Sequence, residues 1–581
     1  MSHTLHFFIS IVLCFVIGIH RVQSEITYIE ARYPLRGTPS APNAPWPQPQ
    51  YLNASLNLTY IDPDFFIVYS NLRNCDVIDK AIERYQPLFY PPKLTIRSPD
   101  TFDDSRVLIS VLIEIRSKKC DVYPDLHDDQ SYNITIENAY GKITAENVWG
   151  ALNGLETFSQ LLFITDDDYL AINASVTIRD WPRFPYRGLL LDSSRHFLPV
   201  PILKQQIDAM SYNKYNVFHW HLSDDQSWPF VSKKFPQLTE KGAFSPDHVY
   251  TPEEVQDIIE HARLRGIRTI PEFDSPGHVA ALGRAFPEFL TDCYNGSTPN
   301  QAIYSKHAAR EIIDVTKDEV YKFMKEFLQE VKDTFKYEPY IHLGMDEVTP
   351  ACWLSNPNIQ KFLKDNNMTN GTDLMTHYSN KILGIAKSIG AKSMVWQDPW
   401  DDGVKLPLGT VIGIWKDTSL LPDSPPWSYF LSKATSEGYD TVLSAPFYLN
   451  MIKYGKYETN DSVMNLEFFR WYNIDLFANF TGDDAARKRL IGAETTLWGE
   501  FVDGTNSLSR LWVRASGVAE RLWSSIDVNN PEDAQFRLDV HRCRMLRRGI
   551  PAAPILNGYC GPYEAGMKQS MVNDPIFSYI D

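Results

Sequence analysis

The chain has 581 residues, 44% hydrophobic and 13% aromatic, ample for a buried core and too long for one ordinary domain. Its formal charge of −16 excludes the basic footprint of a nucleic-acid partner. The acids are scattered rather than gathered in a tail, so the charge chiefly confers solubility and suits an acidic working compartment.

Residues 1–24 read as a secretory signal. Residues 7–19 form its apolar core, and Val22-Gln23-Ser24 offers a small-residue cleavage site before Glu25. The core is short for a membrane span, but the segment before it holds His3 and His6 and no Lys or Arg, so an uncleaved anchor is the alternative. No other stretch is long and apolar enough to cross a bilayer, so no span is expected after signal cleavage. The secretory pathway is the expected route, ending in a lysosome or outside the cell.

Cys14 lies in the signal and six cysteines remain. An even number in a secreted chain points to three disulfides, and six cysteines allow about fifteen pairings. Their order falls into three local pairs: Cys75–Cys120, Cys293–Cys352 and Cys543–Cys560. They are too dispersed for a zinc site of the usual spacing. Sequons occur at Asn53, Asn57, Asn133, Asn173, Asn295, Asn367, Asn370, Asn460 and Asn479, marking a glycoprotein and placing those loops at the surface.

Residues 25–54 form a proline-rich lead-in with little that could pack. Residues 55–182 mix strand-like runs at 65–69 and 107–115 with amphipathic helices at 75–85 and 147–162, predicting a smaller α+β domain. The proline-stiffened stretch 180–187 marks a boundary. From 183 to 581 the pattern changes. Apolar runs at 188–191, 217–222, 268–273, 340–343, 392–396, 410–415, 440–444 and 490–497 alternate with helical stretches such as 251–264 and 317–335. Eight strands with intervening helices predict an α/β catalytic domain, a (β/α)8 TIM barrel with a C-terminal extension.

Barrels of this kind keep their chemistry at the carboxyl ends of the strands. The runs end, in order, on Asp192-Ser-Ser-Arg195-His196, on His221-Leu-Ser-Asp224-Asp225, on Glu272-Phe-Asp274-Ser-Pro-Gly277-His278, and on Asp346-Glu347. The last four end on Trp396-Gln397-Asp398, Trp415-Lys416-Asp417, Phe447-Tyr448-Leu449-Asn450 and Trp498-Gly499-Glu500. Singly each has an ordinary reading: a structural ion pair, a satisfied core histidine, a core tryptophan. Their recurrence at one end of all eight runs is what a pocket requires. Trp396, Trp415 and Trp498 offer flat apolar faces with one N–H each, which suits a pyranose ring with polar edges. Arg195, Asp224 and Glu500 can bond ring hydroxyls. The histidines lack a metal-ligand pattern, so neither a metal nor a cofactor is expected.

Four segments carry a resemblance: Arg187-Gly-Leu-Leu-Leu-Asp-Ser-Ser-Arg195, His219-Trp-His-Leu-Ser-Asp-Asp-Gln226, Pro271-Glu-Phe-Asp-Ser-Pro-Gly-His278 and His342-Leu-Gly-Met-Asp-Glu-Val348. They are similar to the signature segments of β-N-acetylhexosaminidases of glycoside hydrolase family 20, the lysosomal type of animals above all. The resemblance runs from about residue 50 to 575. It implies a zincin-like α+β domain before the barrel, the same three disulfides, and exo-hydrolysis of terminal β-linked GlcNAc and GalNAc from glycans. It further implies attack by the substrate's own 2-acetamido oxygen, an exception to the two-carboxylate scheme of most glycosidases.

Carried over by position, Glu347 is the acid and base, Asp346 orients the acetamido group, and Tyr448 bonds its oxygen. Trp396, Trp415 and Trp498 enclose the sugar, and Arg195 and Glu500 hold hydroxyls. His278, Asp274, His221 and Asp224 support Glu347, whose acid role calls for a largely dry pocket that raises its pKa. Asn450 falls where relatives contact the 6-hydroxyl edge. Met451 stands where one subunit type has an arginine for 6-sulfated sugars, so neutral substrates are expected. Tyr454 matches a residue lent across a homodimer interface. Met345 departs from the family's Gly-Gly-Asp-Glu, and a left-handed backbone there would strain it. Two other readings stay open: an inactive carbohydrate-binding protein on the same barrel, and a chitobiase-type hydrolase of chitin oligosaccharides.

Overall fold

The computed structural model describes residues 37–90, 96, 98–99, 106–120, 122–137, 139–300, 312–451, 471–556 and 558–560. The signal segment, Tyr454 and Asn460 lie outside them. Alternating burial builds a six-stranded mixed sheet first. Its strands are β1 (Tyr51–Ala54), β3 (Ile67–Ser70), β4 (Ser110–Ile115), β5 (Tyr132–Glu137), β6 (Tyr140–Ala145) and β9 (Ser175–Asp180), in the order β1-β9-β5-β6-β4-β3. A small second sheet holds β2 (Leu58–Tyr60), β7 (Phe163–Ile164) and β8 (Leu170–Asn173). In β5 Tyr132, Ile134 and Ile136 point inward while Asn133, Thr135 and Glu137 face solvent, the period of a half-covered strand. Helices α1 (Asp76–Phe89) and α2 (Val148–Gln160) cover the inner face. Asn147 caps α2 by accepting from the N–H groups of Trp149 and Gly150.

Eight parallel strands then close a barrel: β10 (Tyr186–Asp192), β11 (Val217–His221), β12 (Arg268–Glu272), β13 (Tyr340–His342), β14 (Lys392–Trp396), β15 (Val411–Ile414), β16 (Thr441–Leu443) and β17 (Leu490–Leu497). Nearly every residue in these strands is buried, because the lumen fills one face and helices cover the other. Among those helices are α3 (Val200–Tyr212), α4 (Pro252–Arg263) and α5 (Asp318–Thr334). Thr251 and Glu254 start α4 with a reciprocal capping box. The lower lumen is apolar: Tyr186, Val217, Ile270, Met394, Val411 and Val442 pack with Leu126 from the preceding sheet region. The register above it sets Asp192 opposite His221, His221 opposite Glu272, and Glu272 opposite His342. A polar layer therefore lies directly under the open end.

The lead-in differs from its sequence reading. Pro45, Trp46 and Pro47 are buried. Trp46 is fully enclosed, its Nε1 donating to the Ser516 carbonyl at 2.9 Å and its N–H to Gln160 Oε1 at 2.7 Å. One large indole among prolines is enough to pin the segment between α2 and α6 (Arg514–Trp523). Paired buried charges hold the same seam: Lys214 reaches Asp180 at 3.0 Å, and Arg548 reaches Glu156 at 2.8 Å. The disulfides Cys75–Cys120, Cys293–Cys352 and Cys543–Cys560 are closed. No helix among the described residues is long and apolar enough to cross a membrane.

Candidate active site

The open end of the barrel gathers the residues singled out at the strand ends. Trp396, Trp415 and Trp498 are 1%, 9% and 8% exposed and form one cluster with Leu190, against which Tyr448 and Leu420 pack. The rings of Trp396 and Trp498 lie 5.9 Å apart and inclined, and Tyr448 stands 6.5 Å from Trp498. Two of these walls are anchored from behind. Trp396 Nε1 donates to Glu272 Oε1 at 2.8 Å, and Trp415 Nε1 donates to Asp398 Oδ2 at 2.6 Å. Locked indoles lose little entropy when a sugar packs on them.

Arg195 sits on the rim with its guanidinium 5.0 Å over the Trp498 ring. Asp192 holds it at 2.8 Å and Asp224 at 2.9 Å. Asp192 also accepts the Gly499 N–H at 2.9 Å, which fixes the turn carrying Glu500. Glu500 is exposed, and its charge is felt at Arg195. Asn450 Oδ1 is buried and has no hydrogen-bond partner among the described residues, while the neighbouring Met451 is 50% exposed.

The two adjacent acids follow the end of β13 and differ in exposure. The Oδ1 of Asp346 is shut from solvent and has no hydrogen-bond partner among the described residues. Burial, and then the Asp274 carboxylate, push its pKa well above the ordinary aspartate value, with His278 opposing. Asp274 is itself raised to about 6, chiefly by burial. Glu347 turns outward. Its side chain is 49% exposed and its Oε2 lies 3.4 Å from His278 Nε2. The dry setting expected for Glu347 is therefore corrected: the desolvated carboxyl is that of Asp346. The sequence placed both acids at one strand end but could not tell which faced the interior.

Behind Glu347 runs a chain of alternating acids and imidazoles. His278 Nδ1 is 3.5 Å from Asp224 Oδ1, and His221 Nε2 is 3.0 Å from Asp224 Oδ2. Burial disfavours the His278 cation, but Asp224 and Glu347 outweigh it and raise its pKa well above normal. Asp224 is held well below the aspartate range, burial being overcome by Arg195, His278 and His221. Sequence reasoning missed three of the anchors, Asp192, Glu272 and Asp398. All were noticed at strand ends without a role, because their partners come from other strands.

Met345 answers the question that the sequence raised. Its φ is 78°, between Gly344 at 65° and Asp346, and its N–H donates to Asp274 Oδ1 at 2.9 Å. The side chain is fully buried in the main core. A left-handed methionine costs about 1–2 kcal/mol, whereas losing a buried side chain of this size costs about 2–5 kcal/mol. Met345→Gly is therefore expected to destabilise by about 1–3 kcal/mol despite the relaxed backbone. Chemical denaturation checks the sign; a more stable variant would mean that strain outweighs packing.

Three clusters here have ligand atoms within 4.8 Å of one another: His219–Glu272–His342, Asp224–Asp225–His278 and Asp274–His278–Asp346. A metal needs a neutral imidazole. In these clusters the carboxylates hold His219 at about 9, with burial opposing, and keep His278 protonated as well. His342 is instead lowered, chiefly by burial, and the first cluster is held by contacts of Glu272 with His219 at 3.0 Å and with His342 at 3.1 Å.

Residues 184–526 match the family model described as "Glycosyl hydrolase family 20, catalytic domain", and residues 45–161 match "beta-acetyl hexosaminidase like". The chain is 40% identical to the beta-hexosaminidase subunit beta of Rattus norvegicus over 531 residues, covering 90% of this chain and 94% of the relative. It is 40% identical to the Homo sapiens subunit beta, covering 89% of each. Among solved structures, Flavobacterium johnsoniae chitobiase superposes with a TM-score of 0.71 at 27% identity, over 87% of this chain and 73% of that one. A Vibrio harveyi exo β-N-acetylglucosaminidase reaches a TM-score of 0.73 at 24% identity, over 91% and 81%, a likeness of fold. The chain belongs to glycosyl hydrolase family 20 and is a glycosidase of the β-hexosaminidase kind.

Proposed function

We propose that the enzyme removes terminal, non-reducing β-linked GlcNAc and GalNAc residues with retention of configuration, using the substrate's own acetamido group as nucleophile. The observation that carries this reading is the contrast between the two acids: Asp346 is half-buried, its Oδ1 shut from solvent and unpartnered among the described residues, while Glu347 stands at the open rim. Two carboxylates flanking a glycosidic bond would come from separate positions across the sugar, whereas these belong to adjacent residues in unlike settings. An acetamido N–H would instead occupy the free Asp346 oxygen. Its carbonyl oxygen, bonded by Tyr448, attacks C1 while Glu347 gives its proton to the leaving oxygen. The C1–O bond breaks and an oxazolinium forms, its positive charge next to Asp346. Water then attacks C1 as the bond from C1 to the acetamido oxygen breaks, which restores the acetamide, and Glu347 takes the water's proton.

Trp396, Trp415 and Trp498 enclose the ring and acetamido methyl, and Arg195, Glu500 and Asn450 read the hydroxyls. His278, Asp224, His221 and Asp274 orient and tune the two acids. The exposed Met451 offers no cation, which favours neutral sugars. The same proposal includes passage through the secretory pathway to a lysosome or the exterior, and a homodimer.

A thiazoline analogue of the oxazolinium tests the mechanism. It is expected to inhibit competitively and to bind about 10²-fold or more tightly than GlcNAc. Indifference to it would point to a covalent enzyme carboxylate.

A further inference from the structure

We propose that Glu272 is a positioning residue that builds the pocket from beneath, tying the Trp396 wall to the pair of groups that orient Arg195 and His278. This rests on the hexosaminidase reading above and adds a residue to it. Glu272 ends β12 and is completely buried. Its two oxygens face opposite sides of the site. Oε1 accepts from Trp396 Nε1 at 2.8 Å. Oε2 lies 2.8 Å from His221 Nδ1.

From His221 the contacts run upward. Its Nε2 is 3.0 Å from Asp224 Oδ2, which is 2.9 Å from Arg195 Nη2, while Asp224 Oδ1 faces His278 and through it Glu347. Acid and imidazole alternate along the path Glu272–His221–Asp224–His278–Glu347. It begins in the closed lumen and ends at the exposed rim. One side chain thus sets both the sugar-facing indole and the hydroxyl-facing arginine. The register of β10, β11, β12 and β13 makes this possible, because it brings Asp192, His221, Glu272 and His342 to one level.

The surroundings of Glu272 are complete enough to predict a pH effect. β11 presents His219, 3.0 Å from Oε2, as well as His221. β13 presents His342, 3.1 Å from Oε1, and β14 presents Trp396. Behind His219 stands Glu494 of β17 at 3.0 Å; Asp192, Asp224 and Asp274 complete the charges around the group. His221 donates from both ring nitrogens to carboxylates. Burial disfavours its cation, but Glu272 above all, with Asp224, keeps its pKa well above normal. With Glu272 neutralised, His221 loses the larger of those supports and comes into the range where an ordinary histidine titrates.

The test uses the full-length purified enzyme, an aryl β-GlcNAc glycoside, and pH profiles of kcat and KM from about pH 3.5 to 8 around the histidine range. Glu272→Gln keeps the shape and an acceptor for Trp396 but removes the anion. It is expected to lower kcat about 10-fold or more and to add an ionisation to the kcat/KM profile that the wild type lacks. Glu272→Leu also removes the Trp396 anchor and is expected to raise KM above that of Glu272→Gln. Thermal unfolding is followed for both variants. Wild-type kcat and profile in Glu272→Gln would overturn the assignment. So would a loss of kcat with an unchanged profile, because a merely structural role predicts that. A wild type that does not hydrolyse the glycoside would instead overturn the hexosaminidase reading, and this inference with it.

Discussion

Glu347→Gln is expected to hydrolyse an unactivated β-GlcNAc glycoside about 10²–10⁴ times more slowly than the wild type, while the sugar still binds. Gln matches Glu in volume, so the outward turn at φ 52° and the contact with His278 are preserved, and only proton transfer is lost. The position is suited to that transfer. The side chain is 49% exposed at the mouth, where the leaving group departs and water enters. Its backbone N–H donates to Asp398 Oδ1 at 3.3 Å, and Asp398 in turn holds Trp415. Acid and wall are therefore set by one group. The loss should shrink when the leaving group needs no protonation, as with a strongly acidic phenol, because only the second step then wants a base. A loss equal for both substrates would mean that Gln disturbs binding geometry rather than proton transfer. Turnover like the wild type's would remove Glu347 from the role.

The barrel was legible in the sequence because parallel strands are buried on both faces and read as continuous apolar runs. Runs such as 392–396 and 490–497 coincide with β14 and β17. The preceding sheet was less legible. The alternating Tyr132–Glu137 of β5 is half polar, and its partner strand β9 lies far along the chain, with Tyr132 opposite Asp180 and Glu137 opposite Ser175. Trp46 was passed over because five of its near neighbours are prolines, and composition hides one anchored side chain. Within the site, residue types were legible and their partners were not. The sequence shows Glu272 beside Phe273 and Asp274. It does not show the inter-strand register that brings His221 and Trp396 to its two oxygens. Met345 posed its question openly, since only the backbone could say whether that position is left-handed.

Asp346→Asn is expected to lower kcat about 10²–10³-fold and to change KM much less. The buried Oδ1 has no partner among the described residues, and burial, with the Asp274 carboxylate nearby, makes an anion there costly. An anion held at such a cost gains most from a cation that arrives only during reaction, which in the proposed mechanism is the oxazolinium. Asn keeps the volume and one acceptor, so the acetamido group can still enter. It cannot carry the charge that the intermediate meets, and its amide hydrogens can face the acetamido N–H. The thiazoline analogue, whose ring resembles the intermediate, should lose affinity by a factor close to the loss in kcat, while GlcNAc itself loses little. A variant with unchanged kcat and raised KM would make Asp346 a plain binding group, and acetamido assistance would then lack the anion it requires.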